Sequence, residues 1–157
     1  MRLVVLATAL GIALEASLSS PAAAQAQQDY YAPRARVQMQ RLAASWSPRG
    51  FAPVGDLRVG VLGEHERDSL AVEVESGLQY VVLGICDEDC GDIDFHLFDP
   101  AGKEIASEVK TGSRAVTWTT PATTGTHRLE VAMGRCSTPP CYYAVQLLRG
   151  PPAPSRP

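Results

Sequence analysis

Aromatic side chains, histidines and catalytic motifs are scarce in this chain of 157 residues. Aromatic residues make up only 6% of it, so no broad aromatic stripe is available to bind carbohydrate. The three histidines, His65, His96 and His127, are far apart in the sequence and form no close pair of zinc ligands. No serine lies in a nucleophile-elbow context, and no C-x-x-C motif is present. From these absences we predict a protein that is not an enzyme.

Clusters of basic residues are also missing. The formal net charge is −3, and the 14 lysines and arginines form no basic patch in the sequence. Nucleic-acid binding depends on concentrated positive charge, so nucleic acid is not expected as a partner. The length suits one soluble domain that buries most of its apolar surface.

Residues 1–24 have the features of a secretory signal peptide. A positive start precedes the apolar run Leu3 to Leu14, and Ala22-Ala23-Ala24 supplies the small residues of a cleavage site. Cleavage after Ala26 fits the pattern equally well. The apolar run is shorter than the roughly 20 residues that span a bilayer, and Glu15 interrupts it. We therefore predict an exported protein, periplasmic or extracellular, with no transmembrane segment in the mature chain.

All four cysteines follow the leader, and an oxidising compartment would convert them to disulfides. Cys86-x3-Cys90 and Cys136-x4-Cys141 each span the loop of a predicted hairpin. We favour these two local pairs, although the sequence alone permits three pairings. Local bonds would mainly shape the loops and contribute about 2 kcal/mol each.

A short amphipathic helix is predicted to start at Pro33 and to stop before Pro48, within a helix or linker region at 25–50. Its apolar face consists of Ala35, Met39, Leu42, Ala43 and Trp46. We expect this face to pack against the domain. The alternatives are a mobile arm, or docking to a membrane surface or partner through the arginines at 34, 36 and 41.

After Gly50 the apolar pattern changes to a period of two residues, which is typical of β-strands. The predicted strands are Leu57 to Val61, Ser69 to Val74, Leu78 to Ile85, Ile93 to Phe98, Ala115 to Thr119, Arg128 to Met133 and Tyr142 to Leu148. The pattern predicts an all-β fold, an antiparallel β-sandwich of jelly-roll-like form over residues 51–149. A disordered Pro-rich tail is predicted at 150–157.

Alternation assigns one face of each strand to the core. The expected inward residues are Leu70, Val72, Val74, Ile93, Phe95, Leu97, Leu129, Val131, Met133, Tyr143, Val145 and Leu147. Trp118 shares a face with Val116, and Tyr143 shares one with Val145, so both aromatic residues are predicted to be buried. Tyr142 is then the aromatic residue expected at the surface, and it is a candidate binding residue.

The order of several segments carries a family resemblance. These segments are Gly77 to Val82, Asp92 to Leu97, Asp99 to Lys103, Thr120 to Val131 and Tyr142 to Val145. Together they resemble the bacterial pre-peptidase C-terminal (PPC) domain, a β-sandwich family that usually follows secreted peptidases. The resemblance implies a non-catalytic module that aids secretion, stability or substrate contact. It also implies calcium and matrix-protein binding as a possibility, since some collagenase-associated relatives show both.

An acidic cluster provides a metal-site hypothesis. Within eight residues the chain contains Asp87, Glu88, Asp89, Asp92 and Asp94. Calcium needs several carboxylate or carbonyl oxygens converging from such a loop. The spacing departs from an EF-hand, because the sixth position from Asp87 is Asp92 rather than glycine. The alternative is a solvated acidic loop whose carboxylates cap turns.

Two functional hypotheses from different classes follow. The first is an exported, non-catalytic accessory or binding protein, a single PPC-like sandwich that contacts a protein or envelope component. The alternative is a calcium-dependent adhesive or substrate-binding module that uses the loop at 86–94, with calcium as its cofactor. A third hypothesis, an enzyme with an unrecognised site, rests only on Asp94 beside His96.

Overall fold

The computed structural model describes residues 21–154, with side chains from Tyr30 onward. It contains helix α1 (Pro21–Ala44), a 3-10 turn (Ser47–Arg49) and eight strands. The strands are β1 (Ala52–Leu62), β2 (Arg67–Val74), β3 (Leu78–Cys86), β4 (Cys90–Phe98), β5 (Glu104–Glu108), β6 (Arg114–Thr119), β7 (Gly125–Cys136) and β8 (Cys141–Pro152). The predicted leader lies outside the described residues except for positions 21–24. Within the described part, no helix is long and apolar enough to cross a membrane.

The strands form two four-stranded antiparallel sheets. Sheet A has the order β1-β8-β3-β6, and sheet B has the order β2-β7-β4-β5. In these sheets β1 lies beside β8, β2 beside β7, β3 beside β6 and β4 beside β5. This is the order of one long hairpin rolled over into two sheets, which defines a jelly roll. The predicted antiparallel β-sandwich is therefore confirmed.

The main core lies between the two sheets. Every residue predicted to face inward belongs to it, with Leu70 and Val72 only partly buried. Tyr143 is also in this core, as predicted, and its hydroxyl donates a hydrogen bond to Asp68 Oδ2. That bond joins β8 of sheet A to β2 of sheet B, so the two sheets are linked by polar contact as well as by apolar packing.

Helix α1 gives sheet A a second core on its outer face. Met39 and Ala43 are buried there against Val81, Leu83 and Leu148. The predicted packing of the helix on the domain is confirmed. Because β3 and β8 are covered on both faces, they have the continuous apolar runs of strands with no solvent-facing side.

The helix starts earlier than predicted, at Pro21 rather than Pro33. Pro33 is an exposed residue inside the helix. Proline commonly occupies the first turn of a helix, but contacts upstream of Pro33 are not visible in the sequence. Tyr31, two residues earlier, stacks on Tyr142 of β8, and this tertiary contact favours helical structure on both sides of Pro33.

Two strand boundaries also differ from prediction. Strand β5 was not predicted, because its five residues begin and end with glutamate and its partly buried Ile105 and Ala106 break the alternation. Strand β8 continues to Pro152, which pairs with Leu78, so residues 150–152 of the predicted disordered tail are part of sheet A. Positions 155–157 of that tail lie outside the described residues.

Trp118 was predicted to be buried, and this is wrong: it is 74% exposed. Strand β6 turns Ala115 and Thr117 inward instead. In the register of sheet A, Ala115 lies opposite Gly84, and the ring of Phe95 packs directly against the Gly84 backbone. Small inward residues leave room for Phe95, and the period-two pattern alone cannot show this requirement.

Both predicted disulfides are confirmed. Cys86 is bonded to Cys90 and Cys136 to Cys141, with Cα–Cα distances of 5.8 Å and 5.9 Å. Each bond closes the loop of one strand connection. In sheet B, Cys90 lies opposite Cys136, so the two bridged loops are neighbours at one end of the sandwich.

We predict that Met39→Ala destabilises the protein by about 2–5 kcal/mol, because it leaves a cavity between α1 and sheet A. Met39 is 1% exposed. The matched control is Val37→Ala in the same helix, where the side chain is 46% exposed and the expected change is within about 0.5 kcal/mol. Denaturant unfolding measures both. Equal free energies of unfolding for the two variants would contradict the packing described for α1.

Candidate functional site

The loop of Asp87, Glu88 and Asp89 connects β3 to β4 at one end of the sandwich, which we call the acidic end. The Cys86–Cys90 bond closes this loop. Asp87 also bonds to β8 twice: its N–H donates to Tyr142 O at 3.0 Å, and its Oδ2 accepts from Tyr142 N–H at 2.9 Å. The loop is therefore held in one position relative to sheet A.

The second bridged loop supports the first. Ser137, just after Cys136, donates from its N–H at 2.8 Å and from its Oγ at 2.9 Å to the carbonyl of Asp89. Both bonds are accepted by the backbone carbonyl of Asp89, and the Asp89 carboxylate takes no part in them. The two loops form one braced unit that presents carboxylates outward, with Glu88 exposed.

Helix α1 contributes aromatic residues to the acidic end. Tyr31 stacks on Tyr142, with ring centres 4.7 Å apart and planes at 18°. Tyr142 is consequently only 4% exposed, so the prediction of a surface-exposed Tyr142 is wrong. The exposed aromatic residue here is Tyr30, 53% exposed, and the Arg34 guanidinium carbon lies 3.5 Å from the centre of its ring.

A small cleft separates α1 from the acidic loop. Its volume is about 40 Å³, and its walls include Tyr31, Arg34, Asp87, Glu88 and Tyr142. Such a volume holds a few water molecules or the tip of one side chain. The second oxygen of Asp87, Oδ1, is buried, and no described protein group donates a hydrogen bond to it.

The electrostatic environment of this end is strongly negative. Burial raises the pKa of the Asp87 carboxyl above its ordinary value of 3.8, and Asp89 and Glu88 raise it further, while the bond from Tyr142 N–H lowers it. Burial also raises the pKa of Tyr31, and the three loop carboxylates add to this effect. Negative charge on Asp87 is therefore unfavourable in the folded protein.

The charges of the outer face of sheet B are arranged differently, because they neutralise one another. Glu130 forms ion pairs with both Arg67 and Arg128, and His96 Nδ1 lies 3.0 Å from Glu104 Oε2. Over the described residues, no ion pair within 4.0 Å involves the carboxylates of the acidic loop. The loop carboxylates of the acidic end thus lack the ion pairs that Glu130 and Glu104 of sheet B form.

The five carboxylates of the calcium hypothesis do not converge. Asp92 is on β4, and its Oδ1 accepts a hydrogen bond from Gly112 N–H at 2.9 Å. Asp94 is farther along β4, where burial raises the pKa of its carboxyl, with contributions from Asp92 and Glu108. Among residues 30–154, whose side chains the structure describes, no three His, Cys, Asp or Glu are placed to hold a metal ion together.

The residues of the enzyme hypothesis, Asp94 and His96, lie on the same strand and face. His96 is paired with Glu104 and packs near Phe98, with ring centres 6.4 Å apart. Asp94 has no such partner, and its Oδ1 is buried without a hydrogen bond from any described group. His96 lowers the pKa of Asp94 against the larger effect of burial, but no hydrogen bond joins the two side chains.

The exposed face of β6 was not recognised from the sequence. Val116 and Trp118 are 39% and 74% exposed on the outer side of sheet A. Arg114, also exposed, shares this face. The available signal is the alternation itself, which puts Val116 and Trp118 on one face; the prediction that this face is buried is wrong.

We predict that calcium leaves the thermal midpoint of the oxidised protein unchanged. Asp87 in the loop and Asp92 on β4 each accept a backbone hydrogen bond, and among residues 30–154 no three acidic, His or Cys side chains are placed to hold a metal ion. A real site at 100 times its dissociation constant would add about 2.7 kcal/mol and shift the midpoint by several degrees. Melts in chelator and across a calcium titration measure this. A saturable rise would contradict the prediction and restore the calcium hypothesis.

We predict that Asp87→Asn raises the thermal midpoint at neutral pH, and that the gain disappears in acid. The folded-state pKa of Asp87 is raised, so the stability that its protonation confers is present at low pH and lost as pH rises through that pKa. Asparagine stays neutral and can still accept the bond from Tyr142 N–H.

The control for this prediction is Asp56→Asn, the same substitution at an exposed position in β1. Its effect on the thermal midpoint should be small, because the side chain is exposed. Melting curves of the three proteins at neutral pH and below the carboxyl range test the prediction. A constant difference between Asp87→Asn and the unmodified protein at both pH values would contradict it.

Comparisons with known proteins identify no family: no protein-family model matches the chain, and no curated protein is similar to it.

Proposed function

We propose that this is an exported, non-catalytic binding protein whose acidic end contacts a basic segment of a partner protein or envelope component. The observation that carries the proposal is the set of three loop carboxylates without a basic partner among the described residues. The sandwich itself is taken as a PPC-like module, and the sequence resemblance supports a role in contact rather than in chemistry.

The rigidity of the acidic end supports binding. The loop is closed by a disulfide and bonded to both β8 and the second bridged loop. A partner would therefore meet a loop whose backbone is already ordered, and little entropy would be lost in fixing that backbone. Preorganised charge of one sign also speeds association with a partner of the opposite sign.

The chemistry of the site favours lysine or arginine on the partner. Burial, with added repulsion from Asp89 and Glu88, raises the pKa of Asp87, and a cation nearby would offset that repulsion. The exposed ring of Tyr30 offers a flat surface for the aliphatic part of such a side chain, although Arg34 of this chain already occupies one face. The cleft beside Tyr31 accommodates one side-chain tip.

The test uses a fluorescent peptide of alternating lysine and glycine, with binding measured by anisotropy. We predict that Glu88→Gln combined with Asp89→Asn weakens binding at least about fivefold, because it removes two of the three loop charges. The control is Asp56→Asn combined with Glu75→Gln, which removes the same charge from β1 and from the residue after β2. Its effect should be less than about twofold.

Two results would contradict the proposed function. The first is equal weakening by both double variants, which would show attraction to net charge rather than to the acidic end. The second is the absence of saturable binding at low ionic strength, where screening is weakest. Asp87 is left unchanged in the test because its carboxylate also holds the loop to Tyr142.

A further inference from the structure

Sheet A ends at β6, and its pairing with β3 shows which backbone groups of β6 are free. Cys86 N–H donates to Ser113 O at 3.0 Å, which makes these opposed residues a hydrogen-bonded pair. In antiparallel strands such pairs alternate with non-bonded ones. Ala115, Thr117 and Thr119 therefore bond to β3, and the alternate residues direct their N–H and C=O groups away from it.

Those alternate residues are Arg114, Val116 and Trp118, the same three whose side chains are exposed on the outer face. Helix α1 packs over β1, β3 and β8 and leaves this face of β6 uncovered. Free backbone groups and an apolar side-chain row thus coincide on one edge strand. Edge strands are normally protected against pairing, whereas β6 carries only one charged residue, at its start.

We infer that β6 pairs with β6 of a second copy of this chain, antiparallel about a two-fold axis at Val116. In that register Val116 lies opposite the same residue of the second copy. Arg114 lies opposite Trp118 of the second copy on the same face, and the symmetry repeats this pair. Two cross-strand cation–π contacts then flank an aliphatic one.

The side-chain order selects this register. A shift by two residues separates each arginine from its tryptophan: in one direction both tryptophans, and in the other both arginines, lie opposite a residue outside β6. A shift by one residue would place outward residues opposite inward ones, which a continuous sheet does not allow. The sequence Arg-Ala-Val-Thr-Trp is therefore complementary to itself when reversed. This complementarity identifies a second copy, rather than an unrelated strand, as the occupant.

The surrounding structure is compatible with the pairing. The joined sheet would have eight strands, with both α1 helices on the same face and the two β6 strands between them. Two strands at the usual spacing make a channel about 10 Å wide, which the two Trp118 rings and the valines would line. The acidic ends would point in opposite directions, because the paired strands are antiparallel.

The test is sedimentation analysis of the oxidised protein over a concentration series. We expect a monomer–dimer equilibrium. Trp118→Arg should raise the dissociation constant at least about tenfold, because it places like charges opposite each other. Arg114→Glu combined with Trp118→Arg should restore the dimer through opposed charges. Val109→Arg is the matched control, since Val109 is 61% exposed but outside β6, and it should leave the dimer intact.

The folding of each variant is checked by its thermal midpoint, which should change little because the substituted side chains are exposed. A monomer at all concentrations would overturn the inference. A dimer that Trp118→Arg leaves intact, or that the double variant fails to restore, would overturn it as well. The inference does not depend on the proposed function, because lysine-peptide binding is measured separately.

Discussion

The packing of helix α1 on sheet A determines which part of the outer face of that sheet is covered and which part stays exposed. A two-sheet sandwich buries one face of each sheet, and the other face normally meets solvent. Here α1 covers the outer face of β1, β3 and β8, so sheet A is apolar on both sides. The helix also brings Tyr30, Tyr31 and Arg34 to the acidic end, where they line the cleft beside the bridged loop. The helix leaves the outer face of β6 uncovered, and Val116 and Trp118 are exposed there.

The acidic end holds three carboxylates of the same charge, and their mutual repulsion does not stabilise the folded state. Asp87 makes a structural bond to Tyr142 through one oxygen, but that bond would also be available to an asparagine. Glu88 and Asp89 raise the pKa of Asp87 and form no ion pair within the described part of the chain. Unfavourable charge held by a braced loop is the kind of feature that binding sites retain at the expense of stability. On sheet B, by contrast, Glu130 lies between two arginines.

The sequence was sufficient to predict the sandwich, its inward residues and both disulfides, because period-two alternation and local cysteine spacing are short-range signals. It was insufficient wherever a distant element decided the outcome. Tyr142 is buried because Tyr31, more than a hundred residues earlier, stacks on it. Trp118 is exposed because Phe95 occupies the space over Gly84, opposite Ala115. The sequence shows the five acidic residues as one cluster. Strand β4 begins at Cys90, however, so Asp92 and Asp94 lie on that strand and only Asp87, Glu88 and Asp89 lie in the bridged loop.

To test whether the acidic end binds a basic partner, amide chemical shifts of the oxidised protein can be mapped during titration with the lysine–glycine peptide. We expect changes that saturate together at residues 87–89, at Ser137 and Tyr142, and at Tyr30 and Tyr31 of α1, with sheet B unaffected. Changes confined to the outer face of sheet B, or spread evenly over all exposed carboxylates, would contradict it.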